Sequence, residues 1–268
     1  MFKFSEEQIE RYSRQIILPQ VGGRGQRKIR QASVLIVGAG GLGSPCAFYL
    51  GAAGVGKIGL VDSDEVELSN LSRQILHFSP DVGREKVYSA KEKLNKLNPD
   101  VEVVAYSEKV SSENIMSLIN DYDIVVDGSD NFPTRYLVND ACVMTNKPLS
   151  HGAILQFNGQ IFTILPGKGP CYRCLFAEPP PPGEIPNCQQ AGVIGAVAGV
   201  VGAIQANEVL KIILNQGKLL VGHLLIIDLL GMEFRKVKIS KNKDCAMCGD
   251  SPSIKNLIDY EQFCGIRR

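Results

Sequence analysis

Apolar and polar positions alternate along this chain with two different periods, and the changes of period mark its elements. Ser5 followed by Gln8 reads as a capping box that opens a short helix to about Arg14, and Pro19 with the glycines at 22, 23 and 25 then breaks the pattern. A β-branched run at 33–37 meets Gly38-Ala39-Gly40-Gly41-Leu42-Gly43-Ser44, and apolar residues at helical spacing follow over 46–53. Residues 57–61 predict a second buried strand ending at Asp62. A polar loop through Arg73 leads from it to a lysine-rich helix over 83–97, stopped before Pro99. Strands at 101–106 and 124–126 and helices near 112–120 and after Pro133 continue the alternation, which predicts a mostly parallel sheet.

The pattern changes in the second half. Residues 154–165, with Asn158-Gly159 in the middle, read as a hairpin, so antiparallel strands join the sheet there. A proline-rich stretch at 178–184 excludes regular structure and predicts an extended or mobile crossover leading to Cys188. Small residues over 191–214 suit a closely packed helix, and 219–227 and 234–239 suit closing strands. The expected fold is an α/β, Rossmann-like nucleotide-binding domain with a mixed sheet over residues 1–268. Within it, 1–30 form a helical arm, 31–150 the nucleotide-binding half and 151–268 a second half that carries the cysteine knuckles.

Composition narrows the function without naming it. With 44% hydrophobic residues the chain can bury a substantial core, while 29 basic and 28 acidic residues nearly cancel, so no global field attracts nucleic acid or anionic lipid. The apolar run at 191–204 is shorter than a membrane span and the N-terminus lacks an apolar signal core, so a cytoplasmic protein off the membrane is expected. Without an export signal, the eight cysteines are expected to be reduced.

Chemistry concentrates in three places. Gly38, Gly40 and Gly43, with Gly41 between them, let a phosphate approach free N–H groups at a helix start. Asp62, at the end of the next strand, stands where a carboxylate takes the ribose hydroxyls of an adenine nucleotide. Asp64, Asn70, Arg73, Gln74 and Lys86 follow, a cluster that suits a triphosphate better than a dinucleotide, and Asp130 at the end of a strand suits Mg²⁺. Cys171/Cys174 and Cys245/Cys248 form two CxxC pairs whose thiolates would close a structural Zn²⁺ site, although the gap between Cys174 and Cys245 is far longer than in a zinc finger. Cys46 and Cys142 fall on apolar helical faces and read as core, and His77, His151 and His223 are isolated and read as structural imidazoles. Cys188, between Asn187 and Gln189 and ahead of a helix, has the setting of a reactive thiol or of an ordinary loop cysteine.

Arg11-Tyr12-Ser13-Arg14-Gln15, the glycine turn, Asp62-Ser63-Asp64, residues 69–74, Asp127-Gly128-Ser129-Asp130-Asn131 and the paired knuckles occur in one order over about residues 5–265. In this the sequence resembles the ThiF/MoeB/HesA family, bacterial relatives of ubiquitin-activating enzymes. The resemblance implies ATP-dependent adenylation of the C-terminal Gly-Gly carboxylate of a small ubiquitin-like sulfur carrier, with pyrophosphate released. It implies Asp62 on the ribose, Asn70, Arg73 and Lys86 on the phosphates, Asp130 on Mg²⁺, and Asn131 and Arg135 at the same crevice. It also implies a homodimer in which Arg14 reaches the neighbouring subunit's ATP site, and a sulfur-transfer role for Cys188. Relatives with a similar tail often continue into a rhodanese domain, so a separate sulfur donor is expected. Thiamine and molybdenum-cofactor carriers are not separated by these residues. A family member acting on a tRNA base, or an NAD-dependent oxidoreductase, are the alternatives.

Overall fold

Strand β1 (Ser33–Val37), β2 (Lys57–Val61), β3 (Glu102–Tyr106), β4 (Ile124–Asp127), β5 (Leu149–Leu155), β6 (Asn158–Ile164), β7 (His223–Asp228) and β8 (Glu233–Lys238) form one sheet in the order β3-β2-β1-β4-β5-β6-β7-β8. The structure is a computed structural model that describes residues 4–181, 184 and 191–266. The first five strands in that order run parallel and the last three pair antiparallel, as the alternation and then the hairpin of the sequence predict.

Parallel strands covered on both faces read as continuous apolar runs, and β1 and β4 supply them at 34–37 and 124–126. Val34 and Ile36 pack on one face with Ile29 of α3 (Gly22–Gln31), Leu50 of α4 (Gly43–Ala53), Leu94 of α5 (Lys86–Leu97) and Val209 of a long helix, Gly195–Leu214. Leu35 and Val37 face the other way, onto Ile119 of α6 (Ile115–Asn120) and Leu137 of α7 (Phe132–Met144). Cys46 and Cys142 are fully buried in these two cores, and burial pushes both thiols up. Two short helices precede α3: α1 (Glu6–Arg11), which has the expected reciprocal Ser5–Gln8 capping box, and α2 (Ser13–Ile16). Tyr12, between them, is buried, and Asn98 donates to its hydroxyl at 2.9 Å.

The hairpin lies earlier in the chain than its sequence signal. β5 begins at Leu149, and the loop between the strands is Gln156-Phe157, with Leu155 paired to Asn158, so Asn158-Gly159 opens β6 instead of forming the turn. Gln156 takes the positive φ of 54°. Gly159 serves packing, because a Cβ there would lie 2.4 Å from Val201 on Gly195–Leu214. That helix is 20 residues long and apolar enough to cross a membrane, longer than the run read from sequence; here it lies against α4, β5 and β6. Its buried Glu208 accepts from Thr163 Oγ1 at 2.6 Å and the Leu220 amide at 2.8 Å, which ties the helix to β6 and to the approach to β7.

A buried ionic cluster joins the last segment to the sheet. Arg173, on the short helix α8 (Tyr172–Leu175), places Nε 2.9 Å and a terminal nitrogen 2.9 Å from the two oxygens of Asp140 on α7. Tyr260 donates to the same carboxylate at 2.8 Å, and the guanidinium lies over the rings of Tyr136 and Phe263. Numbering in chain order, the long helix is α9 (Gly195–Leu214) and the last is α10 (Tyr260–Phe263). A buried guanidinium that loses its only carboxylate partner bears the full cost of desolvation. Asp140→Ala is therefore expected to lower unfolding stability by about 3–5 kcal/mol in urea titrations. A loss below about 1 kcal/mol would show that water or another group takes over the pairing.

Candidate active site

Strand order reverses between β1 and β4, so the connections leaving their C-terminal ends diverge and open a crevice there. Gly38 leaves β1 with φ +93°, and α4 starts so close behind it that a Cβ on Gly43 would lie 1.9 Å from the Gly38 carbonyl oxygen. Only glycine closes this turn. Among the described residues the Gly40, Gly41 and Leu42 amides have no backbone acceptor, and they stand at the start of α4, which suits them to a phosphate.

The crevice is a cavity of about 390 Å³. Gly38, Gly40, Gly41, Asp62, Asp64, Arg73, Lys86, Asp130 and Asn131 line it, so most of the residues singled out in the sequence meet on one wall system. Gln74, Ser129 and Arg135 add to the polar lining, with Glu108 and Lys109 from the loop after β3. Among the described residues, Gln74 Oε1 and Arg135 Nε are buried without a hydrogen-bond partner.

Asp62 uses both carboxylate oxygens, accepting from the Ala39 amide at 2.8 Å and the Asp64 amide at 2.9 Å. Burial raises its pKa above the ordinary carboxylate value, and the nearby Lys86 opposes that rise. Lys86, the first residue of α5, is 5% exposed, and its ammonium is paired at 2.7 Å to Asp64, whose carboxylate faces solvent. Arg73 donates to the Ser69 carbonyl at 3.1 Å, and its aliphatic stem lies beside Gly41 of the glycine turn. Asn131 caps α7 by accepting from the Thr134 amide at 2.9 Å, and so holds Asp130 at the rim.

Three residues stand elsewhere. Asn70 is buried behind the wall, where its side chain accepts from the Glu67 amide at 3.2 Å and shapes the loop that carries Arg73. Gly43 packs the turn and does not line the cavity. Arg14 is exposed on α2, away from this chain's own cavity. Cys188 lies outside the described residues.

A second cavity, of about 610 Å³, meets the first at Asp130, Asn131, Arg135 and Ile154. It is mainly apolar, walled by Leu155, Phe132, Phe176 and Pro179 to Pro181. His151 also faces it, with Nδ1 2.7 Å from Asp127 and its ring edge on Tyr172. Burial works to raise the Asp127 carboxyl, but its bonds from His151 and Ser129 hold it below the ordinary range. No sequence signal announced this cavity, because its walls come from separate segments of the chain.

The four CxxC cysteines meet although the two pairs lie far apart in the sequence. Their sulfurs all lie within 4.8 Å of one another, with Cys171–Cys245 at 3.6 Å and Cys174–Cys248 at 3.4 Å. A tetrahedron of roughly 2.3 Å zinc–sulfur bonds has edges of about 3.8 Å, so the set can hold one zinc ion. The Asn242 amide points at Cys174 Sγ from 3.4 Å, a donor of the kind that steadies a metal-bound thiolate.

Known proteins resemble this chain. A sulfur carrier protein adenylyltransferase of Thermus thermophilus is 52% identical, covering 99% of this chain and 100% of its own length. The adenylyltransferase and sulfurtransferase MOCS3 of Anopheles gambiae is 51% identical over 99% of this chain, which spans 60% of that protein. Among solved structures, Escherichia coli MccB with ATP superposes with a TM-score of 0.78 at 26% identity, covering 89% of this chain and 74% of that one. The model of the ThiF family matches residues 12–247, from the N-terminal arm into the second cysteine knuckle, and so takes in the glycine turn, the charged wall and the crevice: this chain belongs to the ThiF family.

Proposed function

We propose that this chain adenylates the C-terminal Gly-Gly carboxylate of a small ubiquitin-like sulfur carrier protein. The observation that carries the reading is the common rim of the two cavities at Asp130, Asn131, Arg135 and Ile154. One cavity presents glycine amides and cations suited to a triphosphate, and the other, mainly apolar, has a volume of about 610 Å³, room for an extended glycine tail. The names of the relatives agree with this reading.

The chemistry needs no proton transfer, since the carrier's carboxylate is already ionised when it attacks the α-phosphate and pyrophosphate departs. What the site must supply is orientation and charge neutralisation. Arg73, Lys86 and the Gly40 and Gly41 amides would take the phosphates, and Asp62 the ribose. Asp130 would hold Mg²⁺, which adds positive charge at the phosphates when bound. The apolar second cavity would keep water from the acyl-adenylate. A homodimer agrees with an exposed Arg14 on an arm that also exposes Ile9, Ile17 and Leu18. The four cysteines would hold a structural zinc ion, because a tetrathiolate set leaves no open position.

In ATP–pyrophosphate exchange with purified ThiS-like and MoaD-like carriers, the wild type is expected to be active with at least one of them. Lys86→Ala is expected to reduce that rate by roughly 10²–10³-fold. Exchange by the wild type with neither carrier, or full exchange by Lys86→Ala, would overturn the reading. For the metal, mass spectrometry under native conditions is expected to find about one zinc per chain. Cys248→Ser should release it and lower the melting midpoint by more than about 5 °C. An unchanged midpoint in zinc-free protein would refute the structural role.

A further inference from the structure

Behind the glycine turn, out of the cavity, His77 is buried between the turn and α5. Its Nε2 lies 2.9 Å from the Ala39 carbonyl oxygen and its Nδ1 2.9 Å from Ser89 Oγ on α5. A carbonyl oxygen can only accept, so Nε2 carries the hydrogen, and in the neutral ring Nδ1 then accepts from the Ser89 hydroxyl. Lys93, paired with the buried Asp81, donates to the same hydroxyl oxygen from 3.3 Å. For the neutral ring, the Ala39 carbonyl therefore selects the Nε2–H tautomer. Burial, with the charge of Lys86 nearby, lowers the imidazole pKa and favours that neutral form.

Ala39 is held at both ends, its amide by Asp62 at 2.8 Å and its carbonyl by His77. The Ala39 carbonyl and the Gly40 N–H belong to one peptide unit, and in a trans peptide these two bonds point in opposite directions. A carbonyl turned inward to His77 therefore turns the Gly40 N–H outward, toward the cavity that Gly40 lines and away from any backbone acceptor. The Ser89 link adds a second constraint. It ties the turn to the helix whose first residue is Lys86, so the amide and the ammonium keep a fixed separation.

We propose that His77 is a positioning residue of the nucleotide site, which aims the Gly40 amide at a phosphate group and sets its distance from Lys86. The proposal rests on the ATP reading above. Calorimetric titration with Mg·ATP tests it in the wild type, His77→Leu, His77→Gln and Ser89→Ala. His77→Leu, which cannot donate to Ala39, is expected to weaken binding about tenfold. His77→Gln keeps an N–H donor at similar reach and should stay within about threefold of wild type, and Ser89→Ala should weaken binding in the same direction as His77→Leu. Long-range ¹H–¹⁵N spectra of the nucleotide-free wild type should show the neutral Nε2–H tautomer.

Unchanged affinity in His77→Leu, or equal losses in His77→Leu and His77→Gln at matched melting midpoints, would overturn the proposal, as would an Nδ1–H tautomer. Should His77→Leu not fold, Ser89→Ala and the wild-type tautomer decide the matter. A wild type that does not bind Mg·ATP overturns the ATP reading as well, whereas a binding wild type with unmoved variants overturns this inference alone.

Discussion

The divergence of the chain at the C-terminal ends of β1 and β4 is the constraint on which the rest of this molecule depends. Where neighbouring parallel strands send their connections to opposite sides, backbone polar groups are left facing a gap that no side chain of the sheet can fill. Here the gap is bounded by Gly38 and Gly128, so close that a Cβ on Gly38 would lie 3.1 Å from the Gly128 carbonyl oxygen. That contact holds the glycine turn against the loop carrying Ser129 and Asp130, and the two sides of the crevice become one rigid frame.

Charge is distributed over this frame so that little of it is wasted on internal pairing. The acids nearest the cations have other duties: Asp62 fastens the turn through two backbone amides, and Asp64 meets Lys86 from the solvent side. A pair with one exposed partner is weak in water, so Lys86 can exchange Asp64 for a phosphate at small cost. The Arg73 and Lys86 side chains line the same space. Preorganised donors of this kind favour developing negative charge without reorganising at the moment of reaction.

The second half supplies closure. The antiparallel strands extend the sheet past β5, and the crossover at 178–181 returns over the apolar cavity. Two separate devices then fasten the end of the chain: the thiol set joining Cys171 and Cys174 to Cys245 and Cys248, and the Asp140 carboxylate shared by Arg173 and Tyr260. Both act through α8, so the floor of the second cavity and the cysteine knuckles are mechanically linked.

Periodicity alone located every strand but β5 to within a few residues, together with the parallel-to-antiparallel change, because each strand's burial is written in its own local pattern. The glycine turn, Asp62, the cluster to Lys86 and the two CxxC pairs were legible for a similar reason: their chemistry depends on short spacings within one segment. The hairpin turn, and β5 with it, was misplaced because Gly159 answers to Val201, a neighbour far along the chain that no local rule contains. The placement of Asn70 behind the wall, the apolar second cavity, the Asp127–His151 pair and the His77 link to Ala39 are likewise decided by tertiary contacts. Sequence by itself determined which residue types stand at spacings suited to a phosphate or a metal ion. Only the tertiary structure decided which of them face the cavity and which hold it in shape, since direction is a property of packing and not of spacing.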